Sequence, residues 1–320
     1  MHASVGDRRL SRLVPRLQAL LAAGGVAATS AGLALGVASV HIADAHRFTL
    51  GGARLTYPAV NAAAGVLLVL AVLGAAVVTV GARTAWRQVS ATRALLRAMS
   101  IVGPVGGDRV VTVIDDPTPQ AFCAGYVRPR VYISTGALAL LSEPELAAVL
   151  AHERHHAARR DPLRLACGRV CSHALFFLPA LRRLHDRCRS LAELAADAEA
   201  VRAAGGARGP LASALLTFGS HGGEEVVGIS PERVDSLLGE PTEWSLPVGL
   251  VAGALGTVVG LAGLTWRATA TASMHATLGL PVVSSQPCVL MLALMPLGAC
   301  AAVIAGRRTL ARARAYVAAR

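Results

Sequence analysis

Ala151-His152-Glu153-Arg154-His155-His156-Ala157 is the stretch from which the chain is read. It contains H-E-x-x-H, formed by His152, Glu153 and His156. On a helix, residues four apart lie on one face, so the two imidazoles can bind one zinc ion. Glu153, on the adjacent position, is then the general base of a hydrolytic site. His155 has the wrong spacing from His152 and reads as a neighbour, not a ligand. A helix is expected here because Ser142-Glu143-Pro144-Glu145 has the form of a helix start, with an N-cap serine, a proline and acids in the first turn. Leu146, Val149 and Leu150 form the apolar side of that helix. Asp161-Pro162 marks its end or a new start.

Composition places this stretch in a membrane protein. The 320 residues are 54% hydrophobic, with a net charge of +12. Mean hydropathy is +0.53, too apolar for an ordinary soluble enzyme. All 31 basic residues are arginine. They flank apolar runs, as in membrane proteins with positive cytoplasmic loops, and no nucleic-acid-binding motif or aromatic platform accompanies them. The six cysteines, Cys123, Cys167, Cys171, Cys188, Cys288 and Cys300, form no C-x-x-C pair and read as small, reduced, buried residues.

Four uncharged runs are long enough to span a bilayer: residues 17–42, 58–80, 246–266 and 287–305. The first follows the basic stretch 1–16 and reads as a retained span, because a signal-peptide core is shorter. Gly32 and Gly36 in it would admit another helix closely, and Gly249, Gly253, Gly256, Gly260 and Gly263 give the third run a close-packing face. Pro296 interrupts the fourth, and an Arg-rich tail, 306–320, follows. Residues 1–16, the segment after residue 80 and the last tail are Arg-rich, while the two short connections are not. Both termini and the domain at 83–244 are therefore expected on the cytoplasmic side of a multi-pass plasma-membrane protein.

That domain reads as α+β with a small sheet. Residues 109–116, 121–126 and 130–134 look like three short strands, separated by Pro117, Pro119, Gly125 and Pro129. Residues 43–57 read as a polar connection. The apolar run 163–181 reads as one buried or membrane-surface helix, since Arg169 would lie in the middle of a span. A charged helix over 182–202 and a short helix over 231–238 follow.

The charged helix carries Glu193 and Asp197 at four-residue spacing. A catalytic zinc site needs three protein ligands and an open position. Glu193 supplies the third, and Asp197 stands one turn on, able to orient a ligating histidine. The oxyanion donor is not named by the sequence; His185, Arg189 and Arg233 are candidates.

Several runs together resemble a known group: residues 120–125, 128–136, 141–146, 149–153 and 160–163, then Arg189-Ser190-Leu191-Ala192-Glu193-Leu194-Ala195-Ala196-Asp197. They look like the membrane-bound gluzincin peptidases, the HtpX-like and CAAX-prenyl-protease-like family with the related BlaR/MecR-type sensor peptidases. The resemblance covers roughly residues 111–238. It implies an integral-membrane, mostly α protein in which four transmembrane helices surround a cytoplasmic α+β zinc-metallopeptidase domain. It implies one zinc per chain, with Glu193 as third ligand, and a protein or peptide substrate. It also implies that the strand at Phe122, Cys123, Ala124 and Gly125 borders the cleft and pairs with an extended substrate.

Cleavage of a cytoplasmic regulator, as in the sensor branch, and turnover of membrane proteins, as in the HtpX-like branch, both stay open. Phe176 to Pro179 leans slightly to the sensor branch. Direct covalent antibiotic sensing by this chain is excluded, because the S-x-x-K nucleophile motif needs a lysine. The alternative from another class is a non-catalytic membrane signalling or scaffold protein with a structural zinc held by four ligands. An intramembrane protease would place H-E-x-x-H in an apolar span, which Arg154, Arg159 and Arg160 make costly.

Overall fold

The computed structural model describes residues 5–38, 45–50, 53–58, 62–105, 108–221, 230–240 and 244–275. The expected fourth span, 287–305, lies outside them. Three described helices are long and apolar enough to cross a membrane, through Arg12–Leu35, Gly65–Ala98 and Val248–Ala268. They belong to α1 (Val5–Ala38), α2 (Ala62–Ala98) and α9 (Val248–His275). At 1.5 Å per residue, the 37 residues of α2 extend about 55 Å, against a hydrocarbon core of about 30 Å. Its apolar first half can span. Its second half, from Arg83 on, carries four arginines and continues beyond the apolar run as a helical post.

The chain divides into two compact units, residues 31–72 with 263–320, and residues 1–30 with 73–262. The first holds an antiparallel hairpin, β1 (Ala45–Leu50) with β2 (Ala53–Pro58), where the sequence suggested only a polar connection. In it Gly32 of α1 lies so close to α2 that an added Cβ would stand 3.1 Å from Leu70 Cβ, the close approach expected there. The glycines of α9 behave otherwise. A Cβ at Gly249, Gly253, Gly256, Gly260 or Gly263 would meet nothing within 4 Å. The close-packing face expected of them is not used among the described residues, because α9 turns Val251 and Ala254 inward instead.

The second unit carries a four-stranded sheet in the order β3-β4-β6-β5, from β3 (Ile101–Val105), β4 (Asp108–Ile114), β5 (Ala121–Ala124) and β6 (Arg130–Ser134). β4 and β6 are parallel; the two outer pairings are antiparallel. β3 was not foreseen, because Gly103 and Pro104 break its pattern. Both residues are tolerated at a sheet edge, where the N–H that Pro104 lacks goes unnoticed. β5 forms the opposite edge.

The sheet packs on α3 (Thr135–Leu140) and α4 (Glu143–Arg159): Val111, Val131 and Ile133 close on Ala137, Val149 and Leu150, all buried. The turn before α3 is tight. A Cβ on Gly136 would stand 2.0 Å from the Pro117 carbonyl oxygen. Gly136→Ala is therefore expected to destabilise the domain by at least about 3 kcal/mol, seen as a lower Tm of the detergent-solubilised chain.

The run 163–181 is two helices, not one. α5 (Asp161–Ala174) stops, and α6 (Pro179–Ala203) begins on a proline that cannot continue a helix but suits its first turn. The apolar residues around the break, Leu175, Leu178, Leu181 and Leu184, are fully buried with Val14 and Leu21 of α1, Val77 of α2 and Val251 of α9. One core thus ties the helical layer to all three candidate spans. After α7 (Gly209–His221), α8 (Pro231–Leu238) docks on α6 through ion pairs. Arg187 Nη1 donates to Glu232 at 2.6 Å, and Arg233 holds Asp197.

Candidate metal centre

α4 has the start its sequence announced. The Ser142 backbone N–H donates to Glu145 Oε2 at 2.8 Å, and Ser142 Oγ donates to the same oxygen at 2.7 Å. The helix ends at Arg160, which takes the left-handed conformation, φ 53°. That geometry is uncommon for a residue with a Cβ. Here it turns the chain directly from α4 into α5, and Asp161 folds back onto α4.

His152 and His156 face each other on α4, both more than nine-tenths buried, with their Nε2 atoms 3.1 Å apart. Glu193 of α6 completes the cluster: its Oε2 lies 3.6 Å from His152 Nε2 and its Oε1 3.8 Å from His156 Nε2. One ligand atom from each of the three falls within 4.8 Å of the others. The remaining ring nitrogens point outward onto carboxylates. His156 Nδ1 donates to Asp161 Oδ2 at 3.0 Å. His152 Nδ1 stands 2.9 Å from Asp197 Oδ1, at an angle too oblique for a regular hydrogen bond. Each histidine is thus held with Nε2 turned inward, the arrangement that carboxylate–histidine–metal sites use.

The electrostatics ask for a cation. Burial pulls the His152 imidazole down, but Asp197, Glu193 and Glu153 outweigh it and raise its pKa to about 9. Burial works against Glu193 and Asp197 too, yet the His152 imidazole beside them and the Arg233 guanidinium keep both carboxyls below their ordinary values. A proton meets this demand, and so does a divalent metal. The donor set, two neutral-capable imidazoles and one carboxylate, suits zinc.

Glu153, half-buried, is the next residue on α4. Burial pushes its carboxyl up, against the two histidines that pull it down. Arg233 of α8 closes the far side. Its Nε and Nη2 donate to the two oxygens of Asp197 at 2.8 and 2.7 Å, and its Nη1 lies 3.4 Å from Glu193 Oε2.

Of the residues singled out in the sequence, the fold brings together His152, Glu153, His156, Glu193, Asp197 and Arg233. Arg189 and His185 lie one and two turns toward the start of α6 from Glu193. They line a groove with residues 122–126 of the β5 edge. Phe122 stacks on Tyr132 with ring centroids 5.5 Å apart. Burial, and then Glu153 and Asp161, push the Cys123 thiol up to about 12, which shows how close β5 runs to the centre. His155 packs edge-on to His156 and binds nothing in the cluster.

Asp161 was missed as a site residue. Its signal was present, an acid five residues after His156 at a helix boundary, but its direction depends on the turn at Arg160.

Comparisons with known proteins concern the domain that carries this cluster. Residues 82–217 match the model of peptidase family M48. A protein described as "Protease HtpX homolog", from Acidiphilium cryptum (strain JF-5), is 38% identical over 77 residues. That stretch covers 21% of this chain and 27% of the relative, so the chain spans about a quarter of the relative's length. No solved structure matches.

Proposed function

We propose that this chain, which carries a peptidase family M48 domain over residues 82–217, is a membrane-anchored zinc endopeptidase acting at the cytoplasmic face. The observation that carries the reading is the convergence of His152, His156 and Glu193, with Glu153 beside them and the open edge of β5 running past.

His152, His156 and Glu193 would hold the zinc. When bound, it supplies a water nucleophile at neutral pH and polarises the scissile carbonyl. Glu153 takes the proton of the attacking water and returns it to the leaving amine. Burial raises the proton affinity of that carboxylate. Asp161 and Asp197 fix the two imidazoles. Of the three candidates for the oxyanion, His185, Arg189 and Arg233, the last stands at the ligand cluster, and its Nη1 is not taken by Asp197. β5 offers its unpaired backbone groups to an extended peptide.

The scaffold reading is disfavoured because the donor group among the described residues has three members, where a structural site closes with four. The intramembrane reading is disfavoured because α4, 17 residues long, carries Arg154 and Arg159 beside and after the paired histidines, costly charges in hydrocarbon. The arginine distribution supports the cytoplasmic side. A cytoplasmic regulator and membrane proteins are the two substrate classes that fit this placement.

The test is metal content together with cleavage. The purified full-length chain is expected to hold one zinc, to cleave an unstructured protein in detergent, to lose that activity to a chelator and to regain it with zinc. Asp161→Asn is expected to weaken zinc binding by about 10–100-fold, measured by competition with a chromophoric chelator. Activity that survives full metal removal would overturn the proposal.

A further inference from the structure

The groove beside β5 has a volume of about 330 Å³. One wall is the end of the edge strand. Another is the post of α2, joined to it where Thr92 Oγ1 and Tyr126 Oη meet at 2.8 Å. The third is formed by α5 and α6, which present Arg169, His185 and Arg189. Among the described residues that line the groove, none is an aspartate or glutamate. Elsewhere in the same helical layer arginines are neutralised: Arg164 by Asp161, Arg187 by Glu232, Arg233 by Asp197. Arg169 and Arg189 are exposed and have no carboxylate partner among the described residues. Both lie near enough to His185 to act on its pKa, which burial already lowers and only Asp186 opposes. The imidazole between them is therefore neutral, and the charge of the groove resides on the two guanidiniums.

Position relates this charge to the centre. Arg189 precedes Glu193 by four residues and His185 by eight, about 6 and 12 Å along α6. An extended peptide advances about 3.3 Å per residue. We propose that the groove selects an acidic side chain: a substrate segment added to the free edge of β5 places an aspartate or glutamate, roughly two to four residues from the scissile bond, between Arg169 and Arg189. This rests on the peptidase reading for its scissile bond, though not for its binding chemistry. The unpaired backbone of an edge strand favours a peptide over the other anionic partner available to arginines at a membrane, a lipid headgroup.

Two measurements on the full-length chain in detergent test it. In the first, quenched fluorescent peptides differ only by Asp or Asn at each of these positions on either side of the bond. At one position Asp is expected to raise kcat/KM by about three- to tenfold, and Arg169→Gln or Arg189→Gln to bring the Asp/Asn ratio near one. The preference should shrink as salt rises from about 0.05 to 0.5 M, where screening shortens. In the second, the Glu153→Gln chain binds the same labelled peptides, read by anisotropy, with the same preference and the same loss in Arg189→Gln.

No Asp/Asn preference in either measurement overturns the proposal. So does an effect of Arg189→Gln on binding to anionic phosphatidylglycerol vesicles with peptide discrimination intact, which would assign the groove to lipid. If binding discriminates while the wild type cleaves no peptide, the groove assignment stands and the peptidase reading fails.

Discussion

Glu153→Gln is expected to lower peptide hydrolysis by about 10²–10⁴-fold while zinc content and folding are retained. The amide has nearly the shape of the carboxylate but cannot accept the water proton. The site should survive the change, because Glu153 is not in the ligand cluster of His152, His156 and Glu193. Stability should hold or rise slightly, since burial already disfavours the charged carboxylate. The measurement is kcat/KM on a quenched peptide beside metal content and Tm on the same preparation. A variant that retains zinc and keeps wild-type turnover would remove Glu153 from the role of base. N-terminal proteomics of cells expressing the wild type against this variant would then report the substrate directly.

Asp197→Ala is expected to cost about 3–5 kcal/mol of stability and to weaken zinc binding as well. Asp197 is 2% exposed and accepts two bonds from Arg233, itself 8% exposed. Removing the carboxylate leaves a guanidinium buried with its main partner gone, and releases the Nδ1 side of His152. The loss is mostly the uncompensated charge, not the worth of the pair. Replacing both partners with apolar residues, Asp197→Leu with Arg233→Met, should therefore recover much of the stability while metal affinity stays low. A double variant no more stable than Asp197→Ala would show that the pair is valued for its shape, not its charge balance. Chemical or thermal unfolding in detergent separates the two.

Particular elements show what was legible. α4 was read to within a residue of both ends because its signals are local: the Ser142 start, the proline, the apolar stripe and the paired histidines. The central and far strands, β4, β6 and β5, carried alternation or apolar runs between turn residues. β3 carried neither, because Gly103 and Pro104 interrupt it, and its place in the sheet comes from pairing with β4. The hairpin β1–β2 had a signal that the charge pattern obscured, with Phe48 and Leu55 in alternation around Gly51-Gly52. The break between α5 and α6 was marked by Pro179, yet the hydrophobicity of Leu175 to Leu181 reads the same whether one helix or two are buried.

Within the site, the sequence by itself determined the two pairs that a single helix makes. His152 with His156 and Glu193 with Asp197 each stand one turn apart, and helical geometry puts each pair on one face whatever surrounds it. The packing of α4 against α6 brings the two pairs together, and only the tertiary structure decides that. It follows from burial of Ala148 on α4 with Ala200 on α6, a contact between residues 52 positions apart that no local period encodes. The same holds for Arg233, 36 residues from its carboxylate partner. Asp161 lies between the two cases: it is near His156 in sequence, but only the left-handed turn at Arg160 directs its carboxylate onto the imidazole.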